Sequence, residues 1–256
     1  MGRIDDALRK SEETKNNKDN ASGVPLSADA QSALTAYRFP VADFTDPKSP
    51  LAESYRTLRT NLQRSGRVRT LKSILVTSAV KGEGRTQTVA NLAVITSAME
   101  GHRTLLVDAD LRNPQLHKIF QVDQSPGLSN YLQGTIELNE AIRPTLIANL
   151  KIIPSGESLR GTAELFHSLR LRALLEGLES QFDMIFFDSP PVIPFTDSAV
   201  LSSNVDGIIL VVKARETRRE VVRRAKDLLN KSEDRLVGVV FNRVEYVIPQ
   251  PLYQKL

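Results

Sequence analysis

One nine-residue segment constrains the fold of this chain more than any other part of its sequence. Residues 78–86 read Ser-Ala-Val-Lys-Gly-Glu-Gly-Arg-Thr, between an apolar run at 74–76 and a segment, 86–99, with apolar residues at helical spacing. A strand, a glycine-rich turn and a helix in that order direct backbone N–H groups and the positive end of the helix toward one point. The segment therefore predicts a phosphate-binding loop, with an ordinary glycine turn as the alternative.

The residues of this loop have distinct expected roles. Gly82 and Gly84 let the backbone turn and approach phosphates closely, and the Thr86 hydroxyl can reach Mg2+. Arg85 stands where such loops carry lysine, so a planar, permanently charged fork replaces a compact point charge. The predicted nucleotide-binding residues of the loop are Ala79, Val80, Lys81, Gly82, Glu83, Gly84, Arg85, Thr86 and Gln87.

Two further apolar runs end in carboxylates. Residues 104–107 precede Asp108 and Asp110, and residues 184–187 precede Asp188. In open parallel sheets, ligands collect at the carboxyl ends of the strands. We therefore expect Thr86, Asp108 and Asp188 to meet around one metal ion.

Strand and helix patterns alternate along most of the chain. This alternation predicts an α/β fold, a doubly wound and mostly parallel sheet with helices on both faces. A further helix is expected to start at Pro50, with Ser49 as its cap and Leu51, Tyr55, Leu58 and Leu62 as its apolar stripe. Strands are expected near 72–77, 104–108, 150–153, 184–188, 207–212 and 236–241, and helices near 86–100, 162–179, 196–202 and 217–231.

Composition and charge limit the domain organisation, the cellular compartment and the partners of the chain. We expect a flexible segment and linker at 1–48, a nucleotide-binding domain at 49–245 and a tail at 246–256 that carries tyrosines. The absence of cysteine excludes disulfides, and no apolar run approaches the roughly 18 residues of a membrane span, which favours a cytoplasmic protein. The net charge is only +4, and the basic run at 215–226 is interpreted as a solvated helix face, so no nucleic-acid partner is expected.

With these motifs the chain resembles the bacterial tyrosine kinases of the polysaccharide co-polymerase group, which share the deviant P-loop fold of the ParA/MinD-like ATPases. The resemblance covers about residues 49–245. It is carried by Gly82-Glu-Gly-Arg-Thr86, Asp108-Ala-Asp-Leu-Arg112, Asp188-Ser-Pro-Pro191, the helix residues Glu53, Arg56 and Arg59, and Asn242.

The resemblance implies a set of site roles. It implies ATP and Mg2+ as cofactors, with Asp108 as the catalytic carboxylate that prepares a tyrosine hydroxyl and Arg85 as a catalytic cation. It further implies Thr86, Asp110 and Asp188 as metal ligands, Asn242 as the residue that reads adenine, Glu53, Arg56 and Arg59 as ring contacts, and Tyr253 or Tyr246 as phospho-acceptors.

The resemblance also implies a biological setting, and three functions stay open. The implied setting is a homo-oligomeric ring at the inner membrane, held there by a membrane-embedded co-polymerase or activator that controls capsule or exopolysaccharide export. The first candidate is an ATP-dependent protein-tyrosine autokinase, the second a catalytically weak nucleotide-binding scaffold, and the third a partitioning-type ATPase. Arg85 is the feature that distinguishes the autokinase from the scaffold. The helix that carries Glu53, Arg56 and Arg59 favours both of these candidates over the partitioning-type ATPase.

Overall fold

The structure is a computed structural model that describes residues 49–65, 71–157, 162–229 and 235–244. The segment expected to be flexible, 1–48, and the tail 246–256 with both expected acceptor tyrosines lie outside the described residues. None of the described helices is long and apolar enough to cross a membrane.

Seven strands form one sheet in the order β3-β4-β2-β5-β1-β6-β7. Their bounds are Ser73–Ser78 (β1), Thr104–Asp108 (β2), Arg143–Pro144 (β3), Leu150–Ile153 (β4), Met184–Asp188 (β5), Gly207–Lys213 (β6) and Leu236–Asn242 (β7). Every neighbouring pair is parallel except β3 with β4. The predicted doubly wound, mostly parallel sheet is confirmed.

Nine helices lie in the described ranges, and three of them were not predicted. Their bounds are Pro50–Ser65 (α1), Arg85–Ser97 (α2), Leu116–Phe120 (α3), Leu128–Gln133 (α4), Leu138–Ala141 (α5), Thr162–Leu165 (α6), Leu169–Gln181 (α7), Asp197–Ser202 (α8) and Arg219–Leu229 (α9). Helices α3 to α5 are each six residues or shorter, too short to show a helical period.

The single helix expected at 162–179 is wrong, because the chain forms α6 and α7 with a break between them. Ser168 has the extended backbone angles φ −73° and ψ 151°, and its hydroxyl donates to the carbonyl of Leu165 at 2.7 Å. A serine that bonds its own backbone in this way favours a helix boundary over a helix interior.

Apolar side chains form one core on each face of the sheet. The central strands β1, β2 and β5 are buried along almost their whole length, which explains their continuous apolar runs. Helix α1 covers one face through Tyr55 and Leu62. Leu51, one turn before Tyr55 on the same helix face, is 45% exposed, so the stripe is not buried at the first turn of α1.

The strand order places the three sequence motifs side by side. Strand β5 lies between β1 and β2, with Asp188 opposite Val76 on one side and opposite Asp108 on the other. The loop that follows β1 and the carboxylates that end β2 and β5 therefore share one edge of the sheet.

Candidate active site

The glycine-rich loop turns directly into helix α2. Gly82 and Gly84 have φ angles of +89° and +86°, in the left-handed region that favours glycine. A Cβ on Gly84 would lie 1.9 Å from Nδ2 of Asn242, so this position also needs glycine for space. The Asn242 amide donates to the carbonyl of Glu83 at 2.8 Å and so ties the end of β7 to the loop.

Glu83 holds the loop from inside the domain. Its Oε2 accepts from the backbone N–H of Val80 at 2.9 Å, and its Oε1 accepts from the Thr217 hydroxyl at 2.5 Å. Only 2% of Glu83 is exposed. The side chain of this predicted nucleotide-binding residue is thus engaged within the protein, and it fixes the path of the glycine-rich loop.

Arg85 begins α2 and is buried between two carboxylates. Its Nε donates to Oδ1 of Asp188 at 2.8 Å, and its Nη2 donates to Oδ2 of Asp110. Burial alone would lower the pKa of Arg85, but the charges of Asp188 and Asp110 outweigh it and raise the pKa. The guanidinium thus stays charged and bridges the ends of β2 and β5.

Asp108 is fully buried beside this pair. Its Oδ2 accepts from the backbone N–H groups of Gln115 and Leu116 at 3.2 and 3.0 Å, while its Oδ1 has no hydrogen-bond partner among the described residues. Burial first, and then the charge of Asp188, raise the pKa of Asp108 well above its usual value. The free oxygen is therefore a strong candidate to take up a proton or to face a cation.

The two carboxylate oxygens of Asp188 differ in their hydrogen bonding, since Oδ1 accepts from Arg85. Burial raises its pKa, while the charge of Arg85 and the nearby Thr86 hydroxyl oppose that effect. Its Oδ2 has no hydrogen-bond partner within the described part of the chain. This buried oxygen and the Thr86 hydroxyl are hard oxygen donors, which suits Mg2+.

The carboxylates do not make a closed metal cage. Within the described ranges, no three His, Cys, Asp or Glu side chains form a metal-binding group. Mg2+ is usually held by one or two carboxylates together with substrate phosphates, so an open set of donors fits it. Thr86, Asp110 and Asp188 could contribute such donors, although Asp110 is already bonded to Arg85.

Other predicted residues surround this centre. Val80 and Lys81 are exposed at the tip of the loop, Ala79 is buried under it, and Thr86 and Gln87 are partly exposed in the first turn of α2. The amide of Asn242 lies against the loop, as described above, and its Oδ1 accepts from the N–H of Arg243 at 2.9 Å.

The predicted ring residues lie on α1, away from the carboxylates. Glu53 and Arg56 form an ion pair within the helix at 3.2 Å. Arg59 donates from Nη1 to the carbonyl of Ile95 in α2 at 2.7 Å. One of the three side chains therefore helps to attach α1 to the domain.

The ion pairs of Arg85 were not predicted from the sequence, and neither was a further ion pair near the site. Arg112 pairs with the buried Asp197 at 3.1 Å, and its guanidinium lies 4.6 Å from the centre of the Phe195 ring. The Thr162 hydroxyl also donates to Asp197 at 2.6 Å. Arg112 belongs to the Asp108–Arg112 motif, but no local pattern marks its pairing with Asp197, because the two residues are 85 positions apart and only the fold brings them together.

Comparisons with known proteins agree with this geometry. Residues 71–232 match the family described as an AAA domain. The tyrosine-protein kinase YwqD of Bacillus subtilis (strain 168) is 35% identical over 202 residues, which cover 79% of this chain and 85% of YwqD.

Two solved structures extend the comparison. The kinase domain of the Escherichia coli tyrosine kinase ETK gives a TM-score of 0.77 at 27% identity and covers 82% of this chain and 83% of that one. MinD from Pyrococcus horikoshii OT3, complexed with Mg-ADP, gives a TM-score of 0.57 at 25% identity. The match covers 72% of this chain and 76% of the MinD chain. The predicted superfamily is confirmed, and the chain belongs to the bacterial tyrosine-protein kinases, within the AAA-domain P-loop fold.

Proposed function

We propose that this protein is an ATP-dependent protein-tyrosine autokinase that regulates capsule or exopolysaccharide synthesis and export. The observation that carries the proposal is the convergence of one loop, one arginine and three carboxylates where β1, β2 and β5 end. Family membership adds the reaction class, transfer of the γ-phosphoryl group of ATP to a tyrosine oxygen.

The proposed residue roles follow from charge and access. The loop N–H groups and Asn242 bind the nucleotide, and Arg85 neutralises charge on the transferring phosphoryl group. Asp108, through its free Oδ1, accepts the proton that leaves the tyrosine hydroxyl as its oxygen bonds to phosphorus. Bound Mg2+ would supply further neutralisation of phosphate charge, with Thr86, Asp110 and Asp188 as its protein donors.

Arg85 has to change partners for this role. In this structure its guanidinium bonds to Asp110 and Asp188, so phosphate oxygens would compete with both carboxylates for it. We expect nucleotide binding to exchange at least one of these ion pairs. Arg85 would then carry its charge from the carboxylates toward the phosphates.

The remaining roles concern assembly. We place the kinase domain at 49–245, with 1–48 as linker and the 246–256 tail presenting Tyr253 and Tyr246 to a neighbouring subunit. Glu53 and Arg56 lie on the outer side of α1 and are suited to a head-to-tail ring contact. A membrane-embedded co-polymerase or activator would hold this cytoplasmic protein at the inner membrane.

One observation favours the second candidate, a catalytically weak scaffold. Two buried carboxylates hold Arg85, and a guanidinium that remained there would permit nucleotide binding without phosphoryl transfer. Incubation with γ-labelled ATP and Mg2+ separates the candidates. An autokinase puts label on tyrosine, a partitioning-type ATPase releases it as phosphate, and a scaffold leaves it in ATP. The autokinase proposal fails unless Asp108→Asn loses tyrosine label that the unmodified protein acquires.

A further inference from the structure

Helix α9 and the short segment before it carry a net positive charge as large as that of the whole chain. Residues 213–227 contain seven cations and three carboxylates, a net charge of +4, which equals the net charge of the whole chain. Six of the cations are exposed and make no ion pair or hydrogen bond within the described residues: Arg215, Arg218, Arg219, Arg223, Arg224 and Lys226. The seventh, Lys213, pairs with Glu216 at 2.5 Å. This set of five guanidinium groups and one ammonium group is available to an external anion.

Exposed apolar side chains lie on the same side of the sheet as α9. Val239 and Phe241 of the edge strand β7 are 39% and 66% exposed. Their register partners on β6, Leu210 and Val212, belong to the same core as Ala225 and Leu229 of α9. Val239 and Phe241 therefore point to the face of the sheet on which α9 packs. Leu228 at the end of α9 is also 43% exposed.

We propose that this α9–β7 surface, the six cations of 215–226 together with Leu228, Val239 and Phe241, binds directly to an anionic lipid bilayer. Arginine and lysine side chains attract anionic headgroups, and flanking apolar side chains enter the boundary between headgroups and acyl chains. A nucleic-acid duplex would engage the cations through its phosphates and leave the aliphatic side chains of Leu228 and Val239 without an apolar partner. The proposal is independent of catalysis and adds a lipid contact to the protein partner proposed above.

Vesicle sedimentation of the full chain tests the proposal. We expect the protein to sediment with vesicles of phosphatidylcholine mixed with phosphatidylglycerol, to remain in solution with phosphatidylcholine alone, and to be released by salt. The triple variant Arg219→Gln/Arg223→Gln/Arg224→Gln should bind at least about tenfold more weakly. Phe241→Ser should also weaken binding, with all charges kept.

A matched variant controls for total charge. Arg64→Gln/Lys118→Gln/Arg172→Gln removes the same charge from exposed positions elsewhere and should bind like the unmodified protein. The proposal is overturned if the unmodified protein ignores phosphatidylglycerol vesicles, in which case an acidic protein segment would become the better occupant. It is equally overturned if both triple variants lose binding to the same extent.

Discussion

The Nε of Arg85 lies 2.8 Å from Oδ1 of Asp188, although the two residues are 103 positions apart. This contact holds the positively charged guanidinium of Arg85 against the carboxylate of Asp188, the residue that ends β5. The same guanidinium also bonds to Asp110. Nucleotide affinity, stability and catalysis should all depend on how easily Arg85 leaves these two partners.

Arg85→Lys should tighten ADP binding by about tenfold, the scale of one charged hydrogen bond. A lysine ammonium is a single point charge and cannot bridge Asp110 and Asp188 as a planar guanidinium does, so phosphate displaces it more easily. Calorimetric titration with ADP measures the change. Arg103→Lys is the control, because Arg103 forms an exposed pair with Asp183 at 3.1 Å. Equal or weaker ADP binding by Arg85→Lys would mean that the carboxylates do not compete for the loop cation.

Arg85→Ala should reduce the free energy of unfolding by about 3–5 kcal/mol, because it leaves buried carboxylates without their cation. Adding Asp110→Asn and Asp188→Asn should recover part of that loss, since the unpaired charges are removed. Urea unfolding curves compare the two variants with the unmodified protein. If the two asparagines make the Arg85→Ala protein still less stable, the ion pairs are not what stabilises this part of the fold.

Asp108→Asn should alter the pH dependence of stability. Burial, followed by the charge of Asp188, raises the pKa of Asp108, so the folded protein retains a proton that the unfolded chain has already released. The unmodified protein therefore loses stability as pH rises from the unfolded pKa of about 3.9 to the raised value. The asparagine variant lacks this titration and should become progressively more stable than the unmodified protein across that window. Unfolding curves at several pH values would contradict this if the difference stays constant or shrinks.

Gly84→Ala should lower the free energy of unfolding by more than the cost of placing an alanine at a positive φ. An alanine there has to adopt a φ of +86° and also push its Cβ against the Asn242 amide. Gly101→Ala is a matched control, because Gly101 has a φ of +74° but nothing within 4 Å of the added Cβ. We expect about 1–2 kcal/mol of destabilisation at Gly101 and clearly more at Gly84. Equal losses in thermal or urea unfolding would show that Asn242 moves aside at no cost.

The sequence was sufficient to predict features that depend on short segments. The loop, the six longer strands and the carboxylates that end β2 and β5 follow from apolar runs and glycine spacing, and the parallel topology then brings the loop and the carboxylates together. Contacts between distant residues could not be predicted in this way. Glu83 and Thr217 are 134 positions apart, and only the fold shows that Thr217 helps Glu83 to hold the loop. The bridging position of Arg85 likewise depends on β5 lying between β1 and β2.

A mixing experiment tests the proposed kinase reaction most directly. One chain carries Asp108→Asn and keeps its tyrosines, while the other carries Tyr246→Phe and Tyr253→Phe and keeps Asp108. After incubation with ATP and Mg2+, mass spectrometry should find phosphotyrosine in the 246–256 tail of the Asp108→Asn chain only when both chains are present, with most of it on Tyr253. Absence of phosphotyrosine from the mixture and from the unmodified protein would contradict the kinase proposal and leave a nucleotide-binding scaffold.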